Sequence, residues 1–240
     1  MTKIEIKSIF GELLFTYIAE NATIKDAVEK AVKEKVSLAS ANLYSADLSL
    51  ANLISANLRS ANLYSANLRS ADLSSANLYS ADLSSANLRS ADLSLANLSS
   101  ANLRSANLSS ANLRSADLSL ANLSSANLRS ANLSSADLRS ANLRSANLSL
   151  ADLRSANLYS ADLSSAENKE NAYLPIFCKW NHSIIGNKIQ IGCKSKTIEE
   201  WDSFFASNKV YSTKRNTEDF KQIQAVYEAY KAYLNFLNKK

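Results

Sequence analysis

The chain has 240 residues, with 27 Lys and Arg against 22 Asp and Glu, a formal net charge of +5. It holds one His, one Pro, three Gly and two Cys, which leaves little material for a His-based nucleophilic triad, a Gly-rich phosphate loop or a disulfide scaffold. No stretch approaches the ~20 apolar residues of a membrane-spanning helix.

Residues 1–40 balance six Lys against six acids. Lys3 to Ser8 alternates, with Ile4 and Ile6 on one face, and Leu13 to Ala19 is apolar and β-prone. Gly11 between them predicts a hairpin. Thr23-Ile-Lys-Asp26 has the form of a capping box, with Asp in place of the usual Glu. Ile24, Ala27, Val28, Ala31 and Val32 follow at helical spacing. The helix leads into what comes next and is expected to cover its open end. The first segment is charged and alternating, unlike a signal peptide.

From Ala41 to Ser165 a five-residue unit, Ala-(Asn/Asp)-Leu-x-Ser, runs without a break for 25 units, with four Leu in the fifth place. Period five excludes a helix, because five residues advance ~140° and would wind Leu around every side. It excludes a long straight strand, because Leu43 and Leu48 would face opposite ways. A chain that is extended for about three residues and then turns a corner resets the parity in each unit. Every Ala and Leu then points to one axis. Successive coils pair at the ~4.8 Å strand spacing, giving a solenoid whose units cannot bury their apolar face alone. Asn and Asp in the second place and Ser in the fifth suit turns through side-chain hydrogen bonds to nearby backbone. The repeats contain no Gly, so the corners are expected to avoid left-handed backbone.

Tandem Ala-(Asn/Asp)-Leu-x-x units resemble the pentapeptide-repeat family, over all of 41–165, with Val36-Ser-Leu38-Ala-Ser40 as a degenerate first unit. The resemblance implies a right-handed quadrilateral β-helix, four units to a coil, with Leu at the inward centre. Six coils and a little more would make a rod of roughly 30 Å. Burial of each Leu is worth about 1.5–3 kcal/mol. The chain is therefore expected to divide into an N-terminal cap at 1–40, a β-helix at 41–165 and an α+β C-terminal cap at 166–240.

The fourth, outward place carries Ser, Arg, Tyr or Ile54. Nine Arg (Arg59, Arg69, Arg89, Arg104, Arg114, Arg129, Arg139, Arg144 and Arg154) meet eight Asp, leaving the array at +1. Some members of the family mimic duplex DNA with an acidic rod and bind the topoisomerase DNA gyrase. That mechanism needs a negative field along the length, which this array lacks. No basic stripe for nucleic acid forms either, since Arg69 and Arg89 stack but Ser109 follows. Tyr44 and Tyr64, twenty apart, should stack, and with Tyr79 they are expected to pack beneath the N-terminal segment. Leu50, Leu95, Leu120 and Leu150 are expected on different faces. The nearly closed vocabulary, set between ordinary ends, points to a consensus-engineered array. Recent tandem duplication is the alternative.

Residues 166–240 change composition and carry twelve basic and eight acidic residues. Tyr173 to Trp180 and Ile184 to Cys193 read as strands, the second broken near Gly186. Thr197-Ile-Glu-Glu200 is a capping box for a short helix holding Trp201, Phe204 and Phe205. A final helix is expected from about Thr217 to Leu237, with Phe220, Ile223, Tyr227, Tyr230, Leu234 and Leu237 on its apolar face. That face can fold back on its own chain or pair with a second copy, forming a homodimer. Ile189-Gln-Ile-Gly-Cys193 with Ile198-Glu-Glu-Trp201 is similar to the C-terminal region of some bacterial and phage-associated pentapeptide-repeat proteins, which implies no activity.

Cys178, His182 and Cys193 give three metal-ligand candidates without a fourth and without paired zinc spacing, so no metal site is expected. His182 has no evident acidic or Ser partner in its local motif. The expectation is a protein without catalytic residues, cofactor or identifiable partner. Two Cys and no secretion signal point to a reducing cytosol. The leading expectation is a non-enzymatic structural scaffold, and the alternative a protein-binding module of the topoisomerase-interacting kind.

Overall fold

The computed structural model describes residues 1–158, 160–167, 182–185, 188–191, 194–207, 223, 224, 227, 228, 230 and 231. The chain divides into two compact units, Met1–Pro175 and Ile176–Lys240.

The first unit opens with an antiparallel hairpin of β1 (Thr2–Lys7) and β2 (Leu13–Ala19), with an irregularity in register between Ile6 and Lys7. Gly11 has φ +88° at the tip, a value that suits a residue without Cβ. The Ser8 hydroxyl accepts the N–H groups of Phe10 and Glu12 and holds the tip closed. Helix α1 (Ile24–Lys33) starts at the expected capping box: Thr23 Oγ1 accepts the Asp26 N–H and Asp26 Oδ2 accepts the Thr23 N–H. Ile6 of β1 and Ala27, Val28 and Ala31 of α1 join the Leu core of the repeats as one continuous cluster.

Parallel bridges then run from Asn42 to Asn62, Asp47 to Asn67, Asn52 to Asp72 and Asn57 to Asn77, and onward at the same separation of twenty residues. Four units therefore make one coil, as the resemblance implied. The inward Leu side chains from Leu38 to Leu153 are all at most 1% exposed, and the Ala beside them are buried through Ala156.

An interior unit uses all five of its N–H groups. In the unit at 96–100, Ala96 donates to Leu93 O, Asn97 to Ala76 O of the coil before, and Leu98 to Asp117 O of the coil after. Ser99 donates to Oδ1 of Asn97, and Ser100 to Ser119 O. The second-place side chain thus supplies the acceptor that the backbone lacks for the fourth-place N–H, which explains the restriction to Asn and Asp. Where it is Asn, its amide can also donate down the column, as Asn62 does to Asn42 Oδ1 at 3.2 Å and Asn67 to Asp47 Oδ1 at 3.0 Å.

The corners overturn one expectation. Every fifth residue from Ser40 to Ser165 has φ between +52° and +61°, including Leu50, Leu95, Leu120 and Leu150. Each occupies the third position of a β-turn such as Leu43 to Ala46, closed by the Ala46 N–H to Leu43 O at 3.0 Å. That position calls for positive φ. An L-residue there costs about 1–2 kcal/mol, which one buried Leu per unit offsets. Absence of Gly therefore did not mean absence of left-handed backbone. A second correction concerns the fifth-place leucines. The twenty-residue coil puts Leu50 and Leu150 in one column, five coils apart, while Leu95 and Leu120 lie in two others.

In the second unit β3 (His182–Ile185), β4 (Lys188–Ile191) and β5 (Lys194–Lys196) form an antiparallel sheet in that order. The expected strand from Ile184 to Cys193 is divided: β3 ends at Ile185 and β4 starts at Lys188, on either side of Gly186. Strand β5, Lys-Ser-Lys, has no apolar signal and was not expected. Helix α2 (Ile198–Ala206) begins at the Thr197–Glu200 capping box. Residues 223, 224, 227, 228, 230 and 231 are helical, and the rest of the expected final helix lies outside the described residues, as does Tyr173 to Trp180.

Candidate functional site

Among the described residues, no group of three His, Cys, Asp or Glu could hold a metal ion. His182 sits in β3 opposite Ile191, and Cys178 and Cys193 lie outside the described residues. The polar cluster of the second unit is held by its own partners. Tyr227 is buried, and its hydroxyl donates to Asp202 Oδ1 at 2.6 Å, where Lys231 Nζ also donates. Those hydrogen bonds, Lys231 first, hold the Asp202 carboxyl below its ordinary range. Burial pushes the Tyr227 phenol up. Trp201 Nε1 donates to Ile189 O and ties α2 to β4.

Along the repeats the outward charges partly cancel. Arg139 pairs with Asp137 and Arg154 with Asp152, both at 2.6 Å within a single unit. These contacts lower both carboxyls and weaken any field of one sign.

One surface departs from this uniformity, at the N-terminal end. Tyr44 and Tyr64 stack at 5.6 Å between centroids and 9° between planes, as their spacing predicted. They do not pack beneath the N-terminal segment, being 60% and 39% exposed, because the hairpin tip lies beside them rather than over them. The tip is anchored to the first coil by the Ile9 N–H to Ser40 O and the Asn42 N–H to Lys7 O, both 2.8 Å. Ile9 and Phe10 are exposed there. Ile9, Tyr44, Tyr64, Ala61, Ser60, Ser80, Asn62 and Asp82 line an open groove of about 530 Å³. Around the corner, the Arg59 guanidinium lies 4.5 Å over the Tyr79 ring.

The groove has one charged lining residue. Oδ1 of Asp82 accepts the Ser84 N–H at 3.0 Å, the Ser84 hydroxyl at 2.6 Å and the Asn102 amide at 3.1 Å. No described residue donates to Oδ2. Sequence reasoning found the tyrosine stack but not the groove, since Ile9 reaches it through the anchoring of a hairpin that is distant in the chain.

The family model for pentapeptide repeats matches eight copies within residues 34–69, 56–94, 96–134 and 131–167. The chain belongs to the pentapeptide-repeat family. Membership makes the four-sided coil the family's right-handed quadrilateral β-helix. Among solved members, HetL of the cyanobacterium Nostoc sp. strain PCC 7120, involved in heterocyst differentiation regulation, is 41% identical. The match covers 58% of this chain and 68% of HetL, with a TM-score of 0.33. A thylakoid-lumen member from Arabidopsis thaliana is 34% identical over 39% of this chain and 61% of its own, under two thirds of its length, with a TM-score of 0.30. QnrB1, a plasmid-mediated fluoroquinolone resistance protein, is 20% identical over 57% of this chain and 74% of its own, with a TM-score of 0.38. No curated protein sequence matches the chain.

Proposed function

We propose that this pentapeptide-repeat protein is a non-enzymatic structural scaffold, its array built by consensus engineering between two ordinary ends. The observation that carries this is the uniform filling of the coil. Leu and Ala occupy the inside at every level, and the units satisfy their N–H groups among themselves. A filled solenoid leaves no interior pocket for a substrate, and function in such a protein rests on its surface. The hairpin and α1 act as the N-terminal cap. They add apolar residues to the core, and Glu29 Oε1 accepts the Asn52 N–H at 2.8 Å, a donor with no earlier coil to receive it.

The competing reading, a module that binds a topoisomerase by imitating DNA, needs a continuous acidic surface. The paired and alternating charges here argue against it. Titrating the protein to high micromolar concentration into a DNA gyrase supercoiling assay separates the two. Unchanged supercoiling is expected. Potent inhibition would overturn the scaffold reading and assign function to the rod surface.

A further inference from the structure

The groove at the N-terminal end offers an apolar wall, one charge and several acceptors. Ile9, Tyr44 and Tyr64 form the wall. Asp82 is the charged lining residue, and its Oδ2 takes no hydrogen bond from any described residue. Ser60 and Ser80 also line the groove, and they stand in the same corner column as Ser40. The Ser40 carbonyl receives the Ile9 N–H, whereas no described N–H donates to the Ser60 or Ser80 carbonyl. No cation lies within ion-pairing distance of Asp82 among the described residues. Arg59, across the adjacent corner, is turned onto Tyr79, and Arg104 stands in the tyrosine column two coils beyond Tyr64.

We propose that this groove is a docking site for a lysine side chain carried on an extended segment of a partner protein. The stem of lysine is apolar and its head is cationic, which matches an apolar wall ending at a carboxylate. An ammonium carries three donors and no acceptor, which suits a carboxylate oxygen in a groove that Ser60 and Ser80 also line. Arginine fits less well. Its fork favours two carboxylate oxygens at once, and Oδ1 of Asp82 is already occupied by three donors. The hairpin tip, with Ile9 and Phe10 exposed, gives apolar residues flanking the lysine a surface to rest on. The inference goes beyond the scaffold reading and does not involve gyrase, so the two can fail separately.

The test is a titration of the full chain, labelled with ¹³C at Ile methyls, with a blocked peptide carrying Lys between two Leu. The Ile9 methyl should shift saturably, while Ile54, exposed on the opposite face, should not. Replacing the peptide's Lys by norleucine, or introducing Asp82→Asn, should weaken binding by about tenfold or more. Asn occupies the second place in most units, so this variant keeps the fold. Tyr64→Ser, which installs the commonest fourth-place residue, should also weaken binding. An unmoved Ile9 signal overturns the proposal. So does equal binding of the norleucine peptide, or affinity unchanged in Asp82→Asn. An Arg peptide that binds as tightly as the Lys peptide overturns the assignment to lysine.

Discussion

Leu118 and Leu120 stand two residues apart and should respond to shortening in opposite ways. Leu118 is 0% exposed and stacks in the inward column between Leu98 and Leu138, both equally buried. Leu118→Ala removes three carbons from a filled interior and should cost about 2.7–5.0 kcal/mol. Leu120 is 65% exposed and holds φ +61° at a corner. Its Cβ carries the left-handed penalty of about 1–2 kcal/mol. Leu120→Gly removes that penalty but frees the unfolded chain by about 0.5–1 kcal/mol. The net gain is about 0.5–1 kcal/mol. Leu120→Ala keeps the Cβ and should stay within about 0.5 kcal/mol of the parent. For a chain of this size 1 kcal/mol moves Tm by about 2–4 °C. Thermal and urea melts followed by circular dichroism should therefore show a loss of about 5–20 °C for Leu118→Ala and a rise of about 1–4 °C for Leu120→Gly. A Gly variant less stable than the Ala variant would refute the strain argument. A Leu118→Ala melt within 1 °C of the parent, below the ~2–4 °C that each kcal/mol moves, would refute the inward column.

Glu29→Ala should leave the Asn52 N–H of the first coil to water and cost about 0.5–1.5 kcal/mol, the net worth of an exposed hydrogen bond. Amide exchange should rise at Asn52, and Glu29→Gln, which keeps a carbonyl acceptor, should restore much of the protection. Unchanged exchange in the Ala variant would remove Glu29 from the account of the cap. Acid should also weaken the rod. Hydrogen bonds from Arg139 and Arg154 lower the Asp137 and Asp152 carboxyls, and those from Ser49 lower Asp47. A depressed folded-state pKa gives stability that is full above the unfolded carboxylate value of about 4 and is lost as pH falls through the folded value. Tm should stay level from neutral pH to about 5 and fall below about 4. A Tm that is flat or rising to pH ~2 would contradict the sign.

Much of the coil was legible because five residues fit neither 3.6 nor 2. Once Leu43 and Leu48 must share an axis, a corner in each unit is forced. The backbone at that corner was not legible from the absence of Gly. Left-handed conformation is a question of what surrounds the residue, and Ser45 is held there by its N–H bond to Tyr64 O and by the Ala46 to Leu43 bond that closes the turn around it. The hairpin, α1 and α2 were marked by Gly11, Thr23 and Thr197, residues with local roles. Strand β5 carried no such mark, since Lys194 to Lys196 shows no apolar alternation and its pairing rests on backbone groups that every residue has. The groove escaped for a different reason: Ile9, Tyr44 and Asp82 become neighbours only when the hairpin tip is pinned to Ser40 and the coil brings 44, 64 and 82 onto one side. The spacing of Tyr44 and Tyr64 foretold their stack but not that it would stay exposed, with Ile9 lining a groove alongside.

Because interior units satisfy their N–H groups from the coils directly above and below, the rod counts in twenties. Removing twenty residues, 96–115 for example, joins Leu95 to Ala116 and deletes one whole coil, and each surviving column still meets a column of its own kind. Removing five residues is the more drastic change, although it takes away less. Everything beyond the deletion turns by a quarter of a circle relative to the hairpin, and the surfaces at the two ends no longer face as they did. Length and angular setting are thus independent quantities in this molecule: multiples of twenty adjust reach, and remainders of five act as a four-position dial.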